Sequence, residues 1–262
     1  MNFSNSQAPT SERLPAFGVV LAAGQGTRMK SELPKVLCEV VDRPMIHFVL
    51  DALDQAGIDQ KVVVVGYQAE AVKSALATRS DESIRFATQA EQLGTGHAVE
   101  MCREQLQDHD GVTLVLAGDS PLVQVESLNE LLRYFRTNQP ALLLGTLKKD
   151  DPTGLGRIVR DASGEFTGIV EHKDATEEQL AIQEVNMSTY LFNNRDLLWA
   201  LSQLSNDNAQ GEFYLTDCAR ILRDAGHRVE ALPVLKTCES LSINNPEELK
   251  LVDHQMRAMG YA

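Results

Sequence analysis

The sequence predicts an α/β fold: a mixed, mostly parallel sheet flanked by helices. Three observations carry that expectation. Short runs rich in β-branched residues alternate with helical stretches through the first half of the 262-residue chain. No Pro/Gly/Ser-rich linker interrupts the alternation after a polar start. A glycine-bearing loop follows the first strand directly, as in Rossmann-like sheets, which bind ligands at the carboxyl ends of their strands.

In chain order, Met1–Pro15 is polar and has no apolar core, so it reads as a flexible leader rather than a signal peptide, with one domain over 16–262. Phe17–Ala22, Lys61–Gly66, Ile84–Ala87, Val112–Ala117 and Ala141–Leu147 read as buried strands. Pro44–Ala56 reads as a helix: Pro44 suits its first turn, Met45, Val49, Ala52 and Leu53 share a face, and Gly57 stops it. Thr95 is the expected cap of a helix running through Ala98, Cys102 and Leu106. The rhythm then changes. Arg157–Arg160 and Phe166–Val170 flank Asp161–Gly164 as a β-hairpin with a four-residue loop. Glu184–Phe192 is a further strand, and Gly211–Ala225 a helix closed by Gly226. This second half reads as a substrate-binding extension laid against the strand ends.

Charge and cysteine usage narrow the function classes. Lys plus Arg number 24 against 37 Asp plus Glu, a net charge of −13. Such a chain repels nucleic-acid phosphates and anionic lipid, so neither is expected as a partner. The four cysteines form no CxxC pair and no cluster with histidine, which points to reduced thiols and a cytoplasmic location. The longest apolar runs are strand length.

Chemistry concentrates in the loop Leu21-Ala22-Ala23-Gly24-Gln25-Gly26-Thr27-Arg28, continuing to Pro34-Lys35. Gly24 and Gly26 let a backbone approach phosphates, while Arg28 and Lys35 supply positive charge. Met29 stands where the dinucleotide fingerprint needs a third glycine, and no GxxxxGK[ST] occurs. A plain strand-to-helix turn is the alternative. Gly118-Asp119 follows the strand Val112–Ala117, where a carboxylate can hold Mg²⁺ beside a triphosphate or simply cap a turn. Gln89, Gly94, Thr95, Gly156, Glu171, Asn186 and Asn244 are scattered polar or small positions able to meet sugar hydroxyls or a base edge. Gly118-Asp119-Ser120 with Asp224 and His227 also spells the GDS and DxxH of a serine-esterase class, although here the GDS lies on a late strand.

The loop resembles the signature LxxGxGTxMxxxxPK of the sugar nucleotidyltransferases at every fixed position, from Leu21 to Lys35. Later segments are similar to one branch of that family, the uridyltransferase domain of the bacterial bifunctional N-acetylglucosamine-1-phosphate uridyltransferase/glucosamine-1-phosphate acetyltransferases. They are Gln89–Ala98, Asp151–Ile158, Gly168–Ala175, Asn208–Asp217 and Ile243-Asn244-Asn245. The resemblance implies the nucleotide-diphospho-sugar transferase fold, with a sugar-binding extension that contains the hairpin. It implies UTP and N-acetylglucosamine 1-phosphate as substrates and Mg²⁺ as cofactor. Leu21, Ala22, Ala23, Gly24 and Gln89 would hold the uracil and ribose, with Gly94 and Thr95 closing over the base. Arg28 and Lys35 would grip the triphosphate beside Gly26 and Thr27. Asp119, following Gly118, and Asn244 would bind Mg²⁺. Gly156, Glu171 and Asn186 would line the sugar pocket. Another sugar 1-phosphate, or a sugar-nucleotide sensor without turnover, are the competing expectations. Three departures stand out. Ala117 replaces the usual aromatic residue before Gly-Asp. Asn186-Met187-Ser188 replaces Asn-Thr-Gly, which bears on sugar preference. The sequence ends at Ala262, before the family's β-helix, so acetyl transfer and that domain's trimer are not expected of it.

Overall fold

A computed structural model describes residues 14–262, apart from 30, 78, 80–83 and 209. Residues 1–13 of the expected leader lie outside the described residues. Leu14 packs partly buried against the core, and the Pro15 carbonyl accepts from the Val112 N–H at 2.9 Å.

The chain runs β1 (Ala16–Ala22), a phosphate-loop-like segment with two short 3₁₀ turns, then a two-stranded ribbon of β2 (Glu39–Val40) and β3 (Arg43–Pro44). There follow α1 (Met45–Gln55), β4 (Gln60–Val65), α2 (Ala69–Leu76), β5 (Ile84–Thr88), α3 (Thr95–Glu100), α4 (Arg103–Leu106), β6 (Val112–Ala117), α5 (Val125–Asn138) and β7 (Leu142–Lys148). The second half comprises β8 (Arg157–Arg160), β9 (Phe166–Val170), α6 (Glu177–Leu180), β10 (Glu184–Asn193), α7 (Asn194–Leu201), α8 (Asp217–Asp224), β11 (Val229–Leu232) and α9 (Pro246–Ala258).

The main sheet has the order β11-β7-β10-β6-β1-β4-β5, and β8 hangs from β10 with β9 beyond it. All neighbours on the seven-strand path are parallel except β10, which runs against both β6 and β7. The alternation inherent in a strand sends Val20, Val63 and Leu114 to one face, against α1, α2 and α5. Val19, Val64 and Val115 point to the other face, against α3, α7 and α8. Both faces are buried, as the continuous β-branched runs require. Among the described residues no helix is long and apolar enough to cross a membrane.

A third apolar cluster ties the carboxyl-terminal segment to the loop that follows β1. Ile243, Val252 and Met256 pack with Met29, Val40, Met45 and Leu122. Asn245 caps α9 by accepting from the Glu248 N–H at 2.8 Å, with Pro246 in the first turn.

Several expectations need correction. Thr95 is not a cap: Gly94 holds that place, and the Thr95 hydroxyl accepts from the Leu215 N–H at 3.1 Å. The expected helix through Leu106 breaks at Met101–Cys102 into α3 and α4. Residues 211–216 are not helical. The Phe213 N–H and carbonyl bond Leu93 and Gly96 of the 93–96 loop, residues 215–216 form a turn, and α8 begins only at Asp217. The hairpin loop has five residues, 161–165, because the Asp161 carboxylate accepts from both the Ser163 and Glu165 N–H groups.

Candidate functional site

Chain order places the cleft. From β1 the chain steps outward to β4 and β5, then returns to β6 on the other side of β1. The carboxyl ends of β1 and β6 therefore flank a switch point, where open α/β sheets leave a crevice. A cleft of about 610 Å³ lies there.

Of the residues predicted from the sequence, Leu21, Ala22, Ala23, Gly24, Gly26, Lys35, Gln89, Gly94, Thr95, Asp119, Gly156, Glu171 and Asn186 line this single cleft. Gly118 lies behind the wall, donating its N–H to the Leu21 carbonyl at 2.8 Å. Arg28, Thr27 and Asn244 are not lining residues, yet Asn244 joins the charged centre directly.

That centre is built around Lys35. Gly26 sits at φ +67°, and a Cβ there would fall 2.5 Å from the Lys35 Cβ, so only glycine lets the two limbs of the loop close on one another. The Lys35 Nζ pairs with Asp119 Oδ2 at 2.5 Å and donates to Asn244 Oδ1 at 3.0 Å. Arg28 Nη2 donates to the same Asn244 oxygen at 3.1 Å. Asn244 reaches this position because its neighbour Ile243 is fully buried against Met29 and Met45. Two oxygens, a carboxylate and an amide carbonyl, thus lie within 3.0 Å of one ammonium nitrogen. Hard oxygen donors converging on a cation, with room beside them for phosphate oxygens, suit Mg²⁺. Among the described residues no group of three or more His, Cys, Asp or Glu is placed to hold a metal ion.

At the cleft's other reach, Gln89 is 3% exposed and donates from Nε2 to the Gly94 carbonyl at 3.0 Å. The 93–96 loop is latched to the 213–215 segment. Phe213 N–H donates to Leu93 O at 2.7 Å, and Gly96 N–H donates to Phe213 O at 2.8 Å. Gly94 adopts φ +106°, and a Cβ would strike the Phe213 carbonyl at 2.5 Å.

The third wall comes from the extension. The Asn186 Nδ2 donates to the Tyr190 hydroxyl at 2.9 Å, and burial pushes the Tyr190 phenol up to about 12. Desolvation, then the nearby Asp174 carboxylate, raises the Glu171 pKa above the ordinary carboxylate value. Met187 does not enter the cleft. Ordinary strand alternation turns Asn186, Ser188 and Tyr190 into it and leaves Met187 partly buried on the other face. Of the two substituted positions, Ser188 alone lines the cleft.

Sequence reasoning missed Gln92, Gly154, Leu155, Tyr190, Glu212, Tyr214 and Thr216 in the lining. Of these, Gln92, Gly154, Leu155, Glu212, Tyr214 and Thr216 stand inside the family-like segments, which was the available signal. The esterase arrangement is not assembled. Ser120 follows β6, whereas His227 precedes β11, and the two strands point the same way, so these side chains sit at opposite sheet edges.

Comparison with known proteins agrees with the geometry. Residues 17–235 match the family described as Nucleotidyl transferase. The bifunctional protein GlmU of Exiguobacterium sp. is 46% identical over 241 residues, covering 92% of this chain and 52% of that protein. The bifunctional protein GlmU of Oceanobacillus iheyensis is 47% identical over 229 residues, covering 87% and 50%. The chain thus spans about half the length of the curated relatives it matches. A crystal structure from Bacillus anthracis, described as a glucose-1-phosphate thymidylyltransferase in complex with a sucrose, superposes with a TM-score of 0.77. It covers 94% of this chain and 97% of that one at 18% identity, a likeness of fold. With a family match across most of its length and relatives near one-half identity, the chain belongs to the nucleotidyl transferase family.

Proposed function

We propose that this chain transfers a uridylyl group from UTP to N-acetylglucosamine 1-phosphate. The observation that carries the reading is the Lys35 ammonium held between Asp119 and Asn244, in the same cleft as the Gln89 amide and the Glu171 carboxylate. A phosphate oxygen of the sugar phosphate attacks the α-phosphorus of UTP. The bond from that phosphorus to the bridging oxygen breaks, and pyrophosphate leaves with the electron pair. No covalent enzyme intermediate is needed, so the protein's work is alignment and neutralisation of charge.

Lys35 and Arg28 hold the triphosphate and balance charge on the departing pyrophosphate. Asp119 and Asn244 would hold Mg²⁺, which, when bound, neutralises phosphate charge at the reacting centre. Phosphate binding draws Lys35 away from Asp119 and frees both oxygens. Gln89, Gly94 and Thr95 receive the base, while Gly156, Glu171 and Asn186 receive the sugar. The described cysteines are all free thiols, in keeping with a reducing cytoplasmic setting.

The test is pyrophosphate release from purified protein with UTP, Mg²⁺ and each of N-acetylglucosamine, glucosamine, glucose and galactose 1-phosphates. The N-acetyl sugar is expected to give the highest kcat/KM, and Lys35→Ala to lower kcat at least ~100-fold with the fold intact by circular dichroism. Preference for another sugar would move the specificity and keep the mechanism. Absence of turnover with every sugar, in folded protein, would overturn the reading.

A further inference from the structure

Gln89 is the most deeply enclosed polar side chain lining the cleft, and two contacts decide which end of its amide faces inward. Its terminal nitrogen lies 3.0 Å from the Gly94 carbonyl oxygen. A carbonyl oxygen only accepts, so the atom placed there is the NH₂ group. The same nitrogen lies 3.1 Å from His97 Nδ1. An amide NH₂ only donates, so Nδ1 accepts, and the neutral imidazole carries its proton on Nε2. Both amide hydrogens are consumed, and no described group donates to Oε1. Gln89 therefore presents a bare acceptor to the cleft.

We propose that His97 is a positioning residue that sets the base preference of this site, by holding the Gln89 amide with Oε1 turned toward the nucleobase. The inference rests on the reading of the cleft as a nucleoside triphosphate site. A uracil ring carries a donor at N3, the imide N–H, which a presented oxygen accepts. A cytosine ring carries an unprotonated N3, whose lone pair opposes that oxygen. An amide free to turn over offers NH₂ as easily as oxygen and loses the distinction. Two anchors, one rigid carbonyl and one ring nitrogen, prevent the turn.

Each anchor is itself fixed. The Gly94 carbonyl belongs to the loop latched by Phe213 on both sides, and the His97 ring lies in α3, tilted against the Phe213 ring with centroids 6.4 Å apart. The sequence carries the pair as Gln89 and His97 eight residues apart, one just beyond β5 and the other in the second half-turn of α3. Their meeting depends on the tight turn at Gly94.

The test has two arms. In the first, kcat and KM are measured for UTP and for CTP with wild type, His97→Phe and His97→Asn. Phenylalanine keeps a ring against Phe213 but offers no acceptor, whereas the asparagine carbonyl restores one near the position of Nδ1. The expected result is a roughly tenfold fall in the UTP-to-CTP ratio of kcat/KM in His97→Phe, carried by a higher KM for UTP with kcat nearly unchanged, and recovery in His97→Asn. An unchanged ratio, or equal loss of kcat with both nucleotides, would overturn the proposal. The second arm needs no variant: ¹⁵N–¹H NMR of the His97 ring in wild-type protein should show the Nε2–H tautomer at neutral pH. An Nδ1–H tautomer or an imidazolium would overturn it, even if His97→Phe failed to fold. Wild type that releases no pyrophosphate from UTP would overturn the nucleotide reading itself, and the base-preference proposal with it. Turnover of UTP with an indifferent His97→Phe would overturn only the latter.

Discussion

Glu171 couples folding stability to the chemistry of the cleft it lines. Burial and the neighbouring Asp174 carboxylate raise its pKa, so the folded protein holds the proton more tightly than the unfolded chain does. The folded state is therefore favoured by the proton, and this group's contribution to stability declines as pH rises through the window above its ordinary value. On the proposed reading sugar binding runs the other way, because the ionised carboxylate is the stronger acceptor for sugar hydroxyls. The KM for the sugar phosphate is expected to rise on acidification, beginning at a higher pH than an ordinary glutamate would give. Asp174→Asn removes the repulsion and should move that inflection to lower pH. The substrate phosphate titrates identically in both proteins, so the displacement between the two KM profiles belongs to Glu171. Coincident profiles would refute the electrostatic account.

Among the elements, β10 is the one whose irregularity shapes the cleft. Its register shifts between Asn186 and Thr189, and Ser188 sits at φ +55°, in the left-handed region. A non-glycine residue there costs about 1–2 kcal/mol, offset in a glycine variant by the greater freedom of the unfolded chain. Ser188→Gly should therefore raise the melting temperature by about 2 °C, read by calorimetry. A lower melting temperature would show that the Ser188 hydroxyl contributes more than its backbone costs. The irregularity sets two extra residues of β10, Met187 and Ser188, against the single step from Thr146 to Gly145 in β7, so Asn186, Ser188 and Tyr190 keep one face.

For the whole molecule, the sheet is a partition between two apolar cores, and the site lies where the partition's chain order reverses. Stability and activity are consequently separable by distance along a strand. Leu143 is fully buried in β7, paired with Leu191 of β10 and Glu230 of β11, well back from Thr146, which pairs with the cleft residue Asn186. Leu143→Ala should lower unfolding stability by about 2–5 kcal/mol in urea denaturation while leaving the KM for both substrates unchanged at a temperature where the variant is folded. A large KM change would show that the core and the cleft are mechanically coupled.

What was legible in the sequence was local. Most of the parallel strands were readable because both their faces are buried, which writes continuous apolar runs such as Val62–Val65; the outer strand β5 buries only Ala87. The phosphate-type loop was readable because Gly24, Gly26, Arg28 and Lys35 are close in sequence. By itself the sequence determined the α/β sheet, the loop that follows its first strand, and the family resemblance. Tertiary structure decided the contacts made across long chain separations. Asn244 meets Lys35 across 209 positions because Ile243 is drawn into an apolar cluster with Met29 and Met45. Residues 211–216 forgo a helix, and there the Phe213 N–H and carbonyl and the Leu215 N–H bond the 93–96 loop instead, a competition that local propensity does not register. The His97–Gln89 contact follows from the latter, since the latched loop is what brings Gly94 and the imidazole to one amide nitrogen. Propensity and pattern act over a few residues. Burial of apolar surface and satisfaction of backbone hydrogen bonds act over the whole chain, and they decide which distant groups share the cleft.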